Sequence, residues 1–124
     1  MEPLYIAEVE VFGHLHCSNN GKFVNTNTPV LAGVNVTLVS NGGTTILGQA
    51  LTDTYGFFEV VLDIVDGVLF EPSISEIRVR LPVANCALLP PTGNLKSAIS
   101  LVGVVQSDVG AVAQFTTGSF SIVI

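Results

Sequence analysis

LAGVNVTLVSNGGTTILGQALTDTYGFFEVVL, residues 31–62, alternates its side chains in twos and breaks the alternation at two turn clusters. Val34, Val36 and Leu38 alternate with Asn35, Thr37 and Val39, the period of a strand with one face buried. Ser40-Asn41-Gly42-Gly43 follows, rich in residues that tolerate positive φ and so reverse a chain tightly. A second strand runs from about Thr44 to Thr52. Asp53-Thr54-Tyr55-Gly56 is the next turn, with an Asp to bond the downstream backbone and a Gly to close it. Beyond it Phe58, Val60 and Leu62 point one way, and Phe57, Glu59 and Val61 the other. Three strands joined by two tight turns predict an antiparallel meander, with no room for a helix.

The flanking sequence continues in the same manner. Ile6 to Cys17 reads as a first strand, with Val9, Val11, Leu15 and Cys17 on one face and Glu8, Glu10, Phe12, His14 and His16 on the other. Gly13 interrupts it and marks a bulge or a close backbone approach. Ser18 to Pro29 is a polar loop with room for a short strand at Lys22–Val24. Asp63 to Ser75 lacks a clean period and reads as a surface crossover. Ile77, Val79 and Leu81 alternate with Arg78 and Arg80 until Pro82 stops the strand, and Ala87 to Asn94 forms a second loop. Leu95 to Val105 is so continuously apolar that strand and short helix both remain open. Gln106 to Gly110 turns the chain. Ala111–Phe115 and Ser119–Ile124 then predict a last hairpin around Thr116-Thr117-Gly118, with Phe120, Ile122 and Ile124 inward. The expectation is an all-β single domain over residues 1–124: an antiparallel Greek-key sandwich, or partly open barrel, of about seven strands.

Composition narrows the function classes. Charged residues make up 11% of the chain, against roughly 25% in ordinary soluble domains. Mean hydropathy is +0.63, yet no run of about 18 apolar residues offers a transmembrane helix. Val39, Leu47, Leu51, Phe57 and Val61 fall on faces that a two-layer sandwich would leave outward. Either a further layer covers them or the surface is apolar by design. The net charge is −6, and Lys22, Arg78, Arg80 and Lys96 are too few and scattered to track a phosphate backbone. Nucleic acid is excluded as a partner. The opening MEPLYIAEVEV lacks a basic segment and a continuous apolar core, so it is read as the start of a mature domain and not as a signal peptide.

Candidate sites are few. Cys17 and Cys86 are the only cysteines. As a disulfide they would suit an oxidising compartment; otherwise they are two unrelated buried thiols. His14 and His16, two apart on a strand face near Glu8 and Glu10, have the spacing to share a divalent metal, though an exposed polar strand looks the same. No G-x-S-x-G elbow is present, and the carboxylate pairs Asp53/Glu59 and Asp63/Asp66 read more simply as turn formers and strand edges. No catalysis and no cofactor are expected. Asn35-Val36-Thr37 is a glycosylation sequon on an outward position. Outward Leu47, Leu51, Phe57 and Val61, with the aliphatic Leu101–Val105, predict a surface for self-association into a homo-oligomer or film. The competing expectation is a monomer whose apolar groove takes a lipid, wax or carbohydrate.

Two family resemblances attach to these residues. Thr52, Asp53, Gly56 and Phe58 resemble the T-D-x-x-G-x-F signature of transthyretin-like and carboxypeptidase-regulatory-like modules, which are extracellular β-sandwiches of immunoglobulin-like build. Over nearly the whole chain, V-F-G-x-L-x-C-S-x-N-G (Val11 to Gly21), the Asn35 sequon, T-x-x-x-G-F-F and T-G-S-F-S-I-V-I (Thr117 to Ile124) are similar to the phylloplanin group of the pollen-allergen/extensin family. That resemblance implies a secreted protein of plant surfaces or cell walls, acting in defence by hindering fungal or oomycete germination. The wider family pattern has six cysteines, of which this chain keeps Cys17 and Cys86. It supplies no catalytic residues.

Overall fold

The computed structural model describes residues 6–64, 70–108 and 110–124, and among them no α-helix occurs. Eight strands form: β1 (Ile6–His14), β2 (Asn35–Ser40), β3 (Thr45–Leu51), β4 (Phe57–Asp63), β5 (Ser75–Arg80), β6 (Asn94–Ser107), β7 (Gly110–Thr117) and β8 (Ser121–Val123). Their hydrogen-bonded order is β3-β2-β5-β6-β7-β1-β4, with β8 beside β6. The 14-residue β6 belongs to both layers. Its first part, Asn94–Ala98, pairs with β5, and from Ile99 onward it pairs with β7. A register shift between Leu101 and Gly103 accompanies the bend. The ends of the order come together as well, since a Cβ on Gly48 of β3 would lie only 2.9 Å from the Val60 side chain of β4. The result is an all-β sandwich closed almost into a barrel.

The period-two reading places the core correctly. Val9, Val11, Leu15, Val36, Leu38, Phe58, Val60, Ile77, Val79 and Leu95 are each less than 2% exposed and share one cluster. Each such side chain contributes on the order of 1.5–3 kcal/mol by leaving water. Gly13 is the close approach expected of it: a side chain there would collide with Thr117 and the ring of Phe58. Leu95–Val105 proves to be strand.

Four expectations are corrected. The sheet is mixed rather than wholly antiparallel, because β1 runs parallel to β7. The meander is split: β2 and β3 pair, but β4 pairs with β1 in the other layer. The final hairpin does not form, because β7 and β8 both pair with β6, leaving Ile122 and Ile124 exposed while Phe120 is buried. Lys22–Val24 is loop, and the local pairing is a single bridge between His16 and Val30.

Two outward assignments also change. Between Leu38 and Val39 the pairing jumps from Gly48 to Ile46, leaving Leu47 as the extra residue of a bulge. The shift reverses parity, so Leu47 is half-buried against the core rather than outward. Val39 is buried, flanked in register by Ile46 and Glu76. Of the crossover Asp63–Ser75, residues 65–69 lie outside the described residues. Its described second part holds a 3₁₀ turn, Pro72–Ile74, with proline in its first turn.

Candidate functional site

One end of the sandwich is fastened by the turn after β3. Thr52 is buried; its hydroxyl donates to the Leu31 carbonyl at 2.6 Å and accepts the Val34 N–H at 2.9 Å. Asp53 accepts the N–H groups of Tyr55 and Phe57 through Oδ1, which is turn-forming and not catalytic geometry. Gly56 sits at φ +77°, and its carbonyl accepts the Leu15 N–H. A Cβ at Gly56 would stand 2.6 Å from the Leu15 carbonyl oxygen. This turn therefore joins both layers, which is why the chain crosses here instead of folding back as a hairpin. Beside it Cys17 and Cys86 form a disulfide with a Cα–Cα distance of 5.5 Å, both residues buried. No free thiol remains.

His14 ends β1, and His16 follows just beyond it at the bridge to Val30. Phe57, His14, His16 and Phe23 follow one another with ring centroids 5.2, 6.3 and 5.8 Å apart, over a shallow depression of about 540 Å³ that Lys22 and Thr117 also line. Phe57 is thus half-buried against His14, its register partner. Nδ1 of His16 is buried with no hydrogen-bond partner. Burial, then the neighbouring His14, lowers the His16 pKa from its ordinary value and favours the neutral ring. Beside β1, burial, then Glu10 and Glu8, raises the pKa of Glu59. Gln114 donates to Glu10 at 3.2 Å. Among the described residues no three His, Cys, Asp or Glu side chains gather closely enough to hold a metal ion. Asp66 lies outside the described residues.

The apolar surface is distributed differently from the sequence reading. Leu51 is 66% exposed and Val61 45%, as expected of outward positions, and Ile46 joins them at 68%. Ile46 escaped notice because the bulge that reverses parity is silent in the apolar/polar pattern. Among the described residues the longest run of exposed aliphatic side chains is in the second half of β6, where Leu101, Val102, Val104 and Val105 all stand in solvent. There Leu101 and Val104 overhang a hollow of about 290 Å³, floored by Val9, Ala113 and Phe115 and flanked by Phe70, whose ring meets Phe115 edge-on. Among the described residues no polar side chain lines it. Asn35 opens β2 in an exposed position, accessible to a glycan.

Comparison with known proteins adds three findings. The family model of phylloplanin, described as a phylloplanin antifungal protein, matches residues 5–124. Among solved structures the chain is similar to the crystal structure of the major plantain pollen allergen Pla l 1, at 15% identity and a TM-score of 0.46, covering 95% of this chain and 98% of that one. Among curated proteins no significant match to the chain is found.

Proposed function

Since this chain belongs to the phylloplanin family of antifungal plant surface proteins, we propose that it is secreted and works in defence by depositing on the surface and associating with itself. The observation that carries this reading is the exposed aliphatic run Leu101, Val102, Val104 and Val105, with Leu51, Ile46 and Val61 beyond it. Patches of contiguous apolar side chains in solvent mark contact surfaces. The disulfide suits a secreted protein. Protein contact, and not a chemical step, is the mode of action: a film of this protein obstructs spore germination by covering it. A glycan on Asn35 sits at the start of β2, away from the β6 patch.

Sedimentation velocity at two concentrations a decade apart tests the reading, with a rising sedimentation coefficient expected. A monomer at both removes self-association. A germination assay with the same material tests the defence role, which fails if the highest soluble dose inhibits nothing.

The hollow beneath Leu101 and Val104 favours a second reading. Its apolar lining and volume of about 290 Å³ suit a short alkyl chain of a lipid or wax. Native mass spectrometry of protein purified from its source would find such a ligand retained, and an empty protein after incubation with excess fatty acid would remove this reading.

A further inference from the structure

Pairing between β5 and β6 stops at Glu76 and Ala98, and from Ile99 to Gln106 β7 holds one edge of β6. Among the described residues no strand lies against the other edge of that segment. Backbone donors and acceptors left open along a strand are a template for another strand. Natural edges are ordinarily guarded by charge or proline, yet Ile99–Gln106 contains neither, in a chain with ten acidic residues. The terminal strands of the order differ, because β3 and β4 lean on each other at Gly48 and Val60.

We propose that a second copy of this chain adds to β6, edge to edge and antiparallel, along the segment around Gly103. The inference rests on the self-association reading and gives it a location. Three observations select a copy as the occupant. Leu101-Val102-Gly103-Val104-Val105 has the same aliphatic pattern in either direction, so an antiparallel copy lays aliphatic side chains across aliphatic ones. Two chains of net charge −6 repel over most orientations, and this edge brings no charge against its like. Gly103 leaves its Cβ position open, with no atom within 4 Å. A strand glycine often marks a site of close backbone approach, and none of the described residues fills that space.

Gly103→Cys tests the location directly. With Cys17 and Cys86 paired, the new cysteine is the only free thiol, and the open space around Gly103 accepts its side chain. Mild oxidation is expected to yield a covalent dimer as the main product, while Asn27→Cys, exposed in the polar loop before β2, gives little. Val102→Lys, at an exposed position, is expected to melt as the wild type does and to weaken association about tenfold or more, since two-fold symmetry places the charge twice in one contact. The location is overturned if Gly103→Cys crosslinks no better than Asn27→Cys, or if Val102→Lys sediments as the wild type. A wild type that associates while both variants behave as controls overturns the β6 edge alone. A wild type monomeric at every concentration overturns the self-association reading together with it.

Discussion

Replacing Thr52 with valine removes one oxygen and adds one methyl at a position that is 4% exposed. The hydroxyl has two partners, the Leu31 carbonyl and the Val34 N–H, in segments 21 and 18 residues away. Water cannot readily replace it in so buried a position. Each stranded backbone group costs about 1–3 kcal/mol, so the substitution is expected to remove about 2–6 kcal/mol. Against a total of about 5–15 kcal/mol for a small domain, that is a large fraction. Urea denaturation is the assay: the midpoint falls while the slope holds, because the surface exposed on unfolding is unchanged. Thr52→Ser keeps the hydroxyl and loses a methyl, so it should cost only about 1 kcal/mol. If Thr52→Val unfolds within about 0.5 kcal/mol of the wild type, a range typical of surface changes, the turn does not fasten the layers and the reasoning fails.

Removing the disulfide as Cys17→Ala/Cys86→Ala opens a loop closed over a sequence separation of 69, and is expected to cost about 4 kcal/mol on the chain-entropy model, read as a fall in the urea midpoint. Gly56→Ala forces a Cβ toward the Leu15 carbonyl at positive φ; a loss of about 2 kcal/mol or more is expected, and wild-type melting would contradict the contact. The His16 pKa is depressed in the fold, so the unfolded chain binds the proton more readily. Its contribution is neutral above 6.5 and becomes destabilising as pH falls below that value; NMR titration should place the His16 midpoint below 6.5. Glu59 has the opposite sign. Its raised pKa means a penalty that appears as pH rises above 4.5, so Glu59→Gln should gain stability relative to the wild type at neutral pH and gain little at pH 3, by urea midpoints.

Much of this fold is legible in the sequence because strands with one buried face carry it. Val36 and Leu38, Phe58 and Val60, and Ile77 and Val79 announce themselves by period two, and all are buried. What the pattern cannot carry is which strand meets which. Asp53–Gly56 has the chemistry of a tight turn and makes one, but partners distant in sequence, Leu15, Leu31 and Val34, decide that it joins two layers. The same holds for β7 and β8, whose separating residues suggest a hairpin while β6 offers both a longer partner. A bulge leaves no mark on composition, so Leu47 and Ile46 exchange the roles that strict alternation gives them. At the surface, the apolar excess is visible in the totals, and its concentration on β6 follows only from where β5 ends.

The segment from Ile6 to Cys17 runs from an open mouth, where Ile6 and Val9 line the hollow, to a locked base, where Leu15 meets Gly56 and Cys17 is tied to Cys86. A molecule fastened so unevenly loosens from one side. In the monomer, thermal breathing is expected to begin at the β6 tip, so that hydrogen exchange reaches the amides of residues 103–106 well before those of Leu15 and Leu31. The base stays shut until the whole chain lets go.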